Sequence, residues 1–391
     1  VRVRVIDDLA GLSDVRKFID AHRSQLRGDY EGFRQRAGGD GGPARPFLIA
    51  HDAGGEVRSL LVGIVKENAP LPCRVGRFRI FEPRARVLEV EPGGLLGELD
   101  EAACDSFYTQ VQSGLAEGRF DVALFDRIPT AHPLYPMLRE RPGLLTREGA
   151  AQRLHHFYID VDCTFEAYLG RRSRNTRRKL KQALRRLQER CGPRLELRRY
   201  RETQQAEEAL AVIEQISAKV LHPGYTSASR AAKLAGLRRG DTQVFALLLD
   251  GCAVAFEDGV RVGDTFISWD VGFDPAFAEL RVGSCLAMQA IRALCEDPAI
   301  RRIDLGTFDA PYKYSWCDEV VAEAVVCLYA PRLRCVLINA QRSVANAANQ
   351  AAHWALKRSG AREFLRGWLD RRRRAGAGEA PAPLLDGNTP G

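Results

Sequence analysis

The spacing of apolar positions changes several times through the first half of the chain, and each change predicts an element. Val1, Val3 and Val5 alternate with Arg2 and Arg4, the pattern of a strand with one covered face. Residues 14–22 and 24–36 carry helical spacing, a glycine-rich break covers 38–42, and 46–51 and 57–65 are apolar strand runs. Asp52-Ala53-Gly54-Gly55 between those runs is a hairpin signal, so the two strands are antiparallel. Residues 73–81 and 86–90 are strand-like. Residues 100–117 set Ala103, Phe107, Val111 and Leu115 on one helical face, and 121–125 is the strand after it.

The second half repeats this order. A strand at 195–200 precedes a helix at 203–220, in which Ala206, Leu210, Ile213 and Ile216 share a stripe. Strands follow at 243–249 and 253–260 around the turn Asp250-Gly251, and then at 264–273. A helix at 283–295 and a strand at 302–305 complete the unit. The duplication rests on element order alone.

Between the halves, residues 165–188 predict one long amphipathic helix. Leu180, Ala183, Leu184 and Leu187 form its apolar stripe, and its other face carries Arg171, Arg172, Arg174, Arg177, Arg178, Lys179, Lys181, Arg185 and Arg186. Residues 319–329 read as a last strand. From 332 to about 370 the chain is mostly helical, with Trp354, Phe364, Leu365, Trp368 and Leu369 available for packing. The expected organisation is a mixed α/β fold: an N-terminal half at 1–160, the linking helix at 161–192, a second half at 193–330, a helical extension at 331–370 and a disordered tail at 371–391. That tail has too little apolar surface to offset the entropy of ordering.

At 391 residues, 45% apolar and 28% charged, the chain exceeds one core and is otherwise ordinary in composition. It has no apolar run of signal-peptide or membrane-spanning length, so a cytoplasmic place is expected. Peripheral membrane contact by the C-terminal helices and the oligomeric state stay open. The ten cysteines are scattered without metal-ligand spacing, which points to reduced thiols and no bound metal. The net charge of +8 is concentrated at 171–190 and Arg371–Arg374. Three readings fit the basic helix: a solvated bridge, a patch for an anionic group (a glycan, a lipid headgroup or a CoA phosphate) with Arg177 and Arg178 as contacts, or RNA binding. RNA ranks last, because only Tyr168 is near to stack on a base.

The segment from Trp269 to Gln289 is the most informative. A strand ends in Gly272-Phe273-Asp274-Pro275, and a loop leads into Leu280-Arg281-Val282-Gly283-Ser284-Cys285-Leu286. A helix entered through glycine offers free N–H groups and a positive end, which suits a diphosphate; alone, such an entry is more often a simple cap.

Together with Asp304-Leu305-Gly306 and Tyr312-Lys313-Tyr314, residues 165–187, 253–272 and 283–286 resemble the BioF2-like or CelD (BcsL) acetyltransferases of the GNAT superfamily, distant relatives of the Fem peptidyltransferases. The resemblance covers roughly residues 155–335. It implies a tandem GNAT fold with acetyl-CoA or a longer acyl-CoA as donor, held by Val271, Gly272 and Phe273 of the strand and by Arg281, Val282, Gly283, Ser284 and Cys285 at the helix. Gly283 takes the central glycine of the family's diphosphate loop. The loop's usual Gln or Arg falls on Leu280 and its closing small residue is Cys285.

Acyl transfer to an amine needs a base for the amine proton and an acid for the departing thiolate. Asp270 is the first candidate base, against the alternative of a solvent-facing strand carboxylate. Glu257 and Asp258 lie on the neighbouring strand, where either one of them shares the cleft or, the favoured reading, both border a turn. Tyr312 is the candidate acid and Lys313 a contact to a phosphate or carboxylate, against packing and solvation. Trp269 and Asp304 are expected to touch the acceptor. His155-His156 and His222-Pro223 have no catalytic companion. The expected activity is transfer of an acetyl or longer acyl group from CoA, by direct attack in a ternary complex, to an amine or hydroxyl of a small-molecule, cell-envelope or polysaccharide precursor. The alternatives are a Fem-like enzyme using an aminoacyl-tRNA and a non-catalytic module binding an anionic ligand.

Overall fold

The computed structural model describes residues 2–358 apart from 27, 40, 41, 76, 77, 150, 220–226, 308 and 309. The first half runs β1 (Arg2–Ile6), α1 (Arg16–Ala21), α2 (Arg23–Leu26), α3 (Tyr30–Arg36), β2 (Ala44–Ala53), β3 (Glu56–Pro70), the small pair β4 (Cys73–Val75) and β5 (Phe78–Phe81), β6 (Arg84–Gly97), α4 (Glu101–Glu117), β7 (Val122–Pro129), α5 (Leu134–Glu140) and β8 (Gln152–Asp160). The second runs α6 (Phe165–Gly170), α7 (Arg174–Cys191), β9 (Leu195–Tyr200), α8 (Ala206–Lys219), α9 (Ser227–Arg239), β10 (Thr242–Leu249), β11 (Cys252–Val262), β12 (Thr265–Phe273), α10 (Val282–Cys295), β13 (Arg302–Asp304), α11 (Pro311–Trp316), β14 (Glu319–Tyr329) and α12 (Leu333–Arg358).

Apart from β4 and β5, these strands form one 12-stranded sheet in the order β1-β2-β3-β6-β7-β14-β8-β13-β12-β11-β10-β9. The hairpins expected at Asp52–Gly55 and Asp250-Gly251 are both antiparallel. Asp250 and Gly251 take φ values of 51° and 77°, the left-handed pair that a two-residue hairpin turn requires. At the centre the halves trade strands. β8, from the first half of the sequence, pairs with β13 of the second; β14, from the second, pairs with β7 of the first; and β8 and β14 pair with each other along the seam.

Each half packs both faces of its part of the sheet. In the second half one core gathers Leu180 and Leu187 of α7 with Leu286, Ile291 and Leu294 of α10. The other holds Leu210, Ile213 and Ile216 of α8. Full burial of a side chain of this size stabilises by roughly 1.5–3 kcal/mol. The helix expected at 165–188 is two helices, because Thr164 caps α6 and the Ser173 hydroxyl accepts the Thr176 amide to start α7 afresh. The C-terminal α12 docks on the first half, where Asn339 Nδ2 donates to Arg147 O at 2.8 Å and Arg342 meets Glu148 at 3.0 Å. No helix among the described residues is long and apolar enough to cross a membrane. Phe364, Leu365, Trp368, Leu369, the run Arg371–Arg374 and the tail to residue 391 lie outside the described residues, as do His222, Pro223, Phe308 and Asp309.

Candidate active site

Strand pairing opens the site. β13 pairs with β12 in parallel only over Thr265–Ile267, ending at Ile267 opposite Asp304. From Ser268 onward β12 follows β11 alone, with a bulge that leaves Trp269 without a partner position between Ser268↔Gly259 and Asp270↔Asp258. A bulge bends its strand and sharpens the local twist, so β12 veers away from β13. The gap is a slot of about 240 Å³, walled by Val271 and Phe273 of β12, Gly283 and Ser284 of α10, and Leu305 and Tyr312 beyond β13.

One end of the slot is the N-terminus of α10. That helix has no side-chain cap, and its first backbone bond runs from Cys285 N to Arg281 O, leaving the amides of Val282, Gly283 and Ser284 as the donors an opening turn cannot use internally. Arg281 sits at φ 54°, ψ 37°, a left-handed conformation uncommon for a residue with a Cβ. Its side chain joins Arg178, Lys179, Arg186 and Arg190 of α7 around a second cavity of about 660 Å³. At Gly283 an added Cβ would come within 3.3 Å of Phe273, narrowing the passage. The corresponding helix of the first half, α4, is closed: the Asp100 carboxylate accepts the Ala103 amide at 2.8 Å, and Glu101 stands in its first turn. Free donors, a positive helix end and a cationic wall opening on a narrow apolar slot fit a diphosphate with a long thin arm; in the first half a carboxylate occupies the equivalent place.

Alternation along β11 sorts its acids. Glu257 stands in the slot opposite Val271, is 7% exposed, and accepts Ser268 Oγ at 2.8 Å. Burial raises its pKa to about 7 against the opposing pull of Ser268 and Lys313. Tyr312 shares the slot, and burial with the nearby Glu257 charge pushes its hydroxyl up to about 12. Lys313 is buried; its Nζ donates to Leu305 O and lies 5.7 Å from the Phe157 ring centroid. The next residue on β11, Asp258, faces the other side with Asp270, and both meet Lys233 of α9, Asp270 at 2.9 Å. Exposed Trp269 lies over the same lysine, 5.9 Å from ring centroid to Nζ.

The remaining candidates divide similarly. Gly272 lines the slot, whereas Val282 and Cys285 are buried in the core beneath α10, and burial lifts the Cys285 thiol to about 11. Arg178 faces the cationic cavity, while Arg177 Nη1 donates to Gly170 O at 3.0 Å. His155 and His156 lie within β8. Fully buried His156 meets Asp304 through Nε2 at 2.6 Å and Glu323 through Nδ1 at 2.9 Å. Asp304 and Glu323 line a third cavity, a cleft of about 660 Å³ between the halves, which also takes in Val90 and Phe125, where β6 and β7 stop pairing. Thus Ile267 and Asp304 border the cleft while Ser268 and Leu305, one residue on, border the slot. Among the described residues no cluster is arranged to hold a metal ion.

Residues 174–314 match the sequence model of the acetyltransferase (GNAT) domain family. That segment is a GNAT acetyltransferase domain. No curated protein matches the sequence. Among solved structures, FemX superposes with a TM-score of 0.57 at 9% identity, covering 82% of this chain and 98% of FemX. A tandem GNAT protein from the clavulanic acid biosynthesis pathway gives 0.50 at 9% identity over 85% of this chain and 99% of its own. A conserved protein of unknown function from Bacteroides thetaiotaomicron gives 0.50 at 10% over 84% and 100%. The fold is a tandem GNAT fold, and the domain it carries is that of a transferase enzyme. A GNAT fold implies an acyl-CoA partner.

Proposed function

We propose that the protein transfers an acyl group from acyl-CoA to an amine or hydroxyl of a polar small molecule, with the donor in the slot of the second half and the acceptor in the cleft between the halves. The observation that carries this is Glu257: a buried carboxyl titrating near pH 7 in an apolar slot that opens from an uncapped, arginine-flanked helix end. A base of that pKa takes a proton at neutral pH without being permanently charged.

In this reading the amides of Val282 to Ser284, with Arg281 and the basic face of α7, hold the diphosphate, and Val271, Phe273 and Gly283 guide the arm toward Glu257. Glu257 accepts the proton of the attacking amine or hydroxyl as the new bond forms at the thioester carbon. Tyr312 donates its proton to the sulfur as the carbon–sulfur bond breaks. Asp270 and Lys313 take supporting places, the first neutralising Lys233 and the second bonding Leu305 and moderating Glu257. Direct transfer is favoured over a thiol intermediate, since Cys285 is buried away from the slot and held protonated. The CelD-type resemblance supports a polysaccharide or cell-envelope precursor as acceptor.

A second reading, an aminoacyl-tRNA donor, draws on the same basic face of α7. The two separate on one measurement, thermal stabilisation by CoA, acetyl-CoA and a long-chain acyl-CoA. Stabilisation that is lost in Gly283→Glu supports acyl-CoA in the slot; no shift with any thioester overturns it.

A further inference from the structure

Two buried polar atoms of side chains that line the cleft between the halves have no hydrogen-bonding partner among the described residues. Glu323 of β14 is 4% exposed; Oε1 meets His156, and Oε2 has no hydrogen-bonding partner. Leaving such an atom bare is unfavourable, and a bound donor removes that cost. The other belongs to His132. Its Nδ1 accepts the Leu134 amide at 3.1 Å, which in a neutral ring puts the proton on Nε2, and Nε2 is also unpartnered. Burial lowers the pKa of this ring, so it stays neutral.

These two atoms belong to one place. Glu323 stands opposite Pro129 in the β7–β14 register, and the His132 amide donates back to Pro129 O at 3.0 Å. Both side chains line the cleft. His156 links Glu323 to Asp304, the last residue of β13 paired with β12. Glu323 therefore sits one imidazole ring and two hydrogen bonds from Asp304, the residue before Leu305 of the slot. An atom held there lies in the cleft and not in the slot that holds Glu257, so the reacting group is another part of the same molecule.

We infer that Glu323 Oε2 and His132 Nε2 are the acceptor's anchor, the first taking a primary ammonium and the second a neighbouring hydroxyl or carbonyl oxygen, so that the acceptor is an amino sugar or a similar amino alcohol acylated several bonds from the anchored nitrogen. The inference rests on the acyl-transfer reading only for that second, reacting group. His156 is a positioning residue, since it orients Glu323 without facing the ligand.

The test is calorimetric titration of the full chain, without any thioester, using glucosamine, glucose and N-acetylglucosamine at about pH 6.5, where an amine of this kind is protonated. Glucosamine is expected to bind about tenfold tighter than the other two, and Glu323→Gln to remove that preference. Equal binding of the three sugars, no binding of glucosamine, or a preference that survives in folded Glu323→Gln overturns the anchor. The comparison of sugars on the unaltered protein decides the matter even if the variant does not fold. Because the titration contains no CoA, a failure of acyl-CoA to stabilise the protein would remove the transfer reading and leave the anchor result standing.

Discussion

Glu257 and Asp258 are adjacent in sequence and lie on opposite faces of β11, the first in the slot with Tyr312 and the second paired with Lys233. Only the first is open to a substrate. Glu257→Gln is expected to lower acyl transfer by about a hundredfold or more while acyl-CoA still stabilises the protein, as measured by single-turnover release of free CoA. Asp270→Asn should reduce turnover far less and mainly lower Tm, because it removes one of the carboxylates that hold the buried Lys233 charged.

Activity of the unaltered enzyme should rise through about pH 7 as Glu257 loses its proton. Stability runs the other way. The folded state holds this proton more tightly than the unfolded chain, so this group's contribution is fully present below the ordinary carboxyl pKa and is lost as the pH rises to about 7. Glu257→Gln should lack both the activity limb and the slope in Tm over that window; denaturation scans at several pH values check the second.

Tyr312→Phe keeps the ring and removes the proton donor. CoA release should slow by roughly tenfold to a hundredfold, with acyl-CoA affinity nearly unchanged. A leaving group that needs no protonation, such as a thioester of an acidic thiol, should restore most of the rate; an equal loss with both donors would take Tyr312 out of the proton path.

The helix ends of the two halves make a paired comparison. Gly283→Glu sets a carboxylate at the donors of α10 and should abolish stabilisation by acyl-CoA. Asp100→Ala removes the cap of α4 and should cost about 1 kcal/mol of stability with acyl-CoA binding intact. Loss of acyl-CoA binding in Asp100→Ala with binding retained in Gly283→Glu would mean that the first half holds the donor.

Charge reversal on α7 separates the donors. Arg178 faces the cationic cavity beside Arg281, whereas Arg177 is turned to Gly170 O. Arg178→Glu should weaken acyl-CoA binding more than Arg177→Glu. A salt-sensitive affinity for tRNA that disappears when both become Glu would instead favour the aminoacyl-tRNA reading.

Element order was legible from the sequence because hairpin turns such as Asp250-Gly251 and stripes such as Ala206, Leu210, Ile213 and Ile216 are local signals. The glycine helix was legible for the same reason, and Gly283 and Ser284 do line the slot. Glu257 was harder to see. Whether it or Asp258 faces the slot depends on the strand's phase, and the bulge at Trp269 shifts that phase on the partner strand, so Asp270 looked better placed than it is. His156 had its companions too, but Asp304 and Glu323 are 148 and 167 residues away and meet it only through the order of strands at the seam. A Ser followed three residues later by Thr176 within an arginine-rich run gave the one local hint that the basic helix starts afresh at Ser173.

The trade of β8 and β14 has a consequence for how the chain is made and cut. The first half lacks its closing strand until residues 319–329 have been synthesised, so its sheet edge at β7 stays exposed while most of the second half emerges. Pairing of such long sequence separation is slow to form, and open edges of this kind invite association. Severing the chain between β8 and α6 would give two pieces that each carry the strand the other needs, so the fragments should be soluble together and aggregate apart.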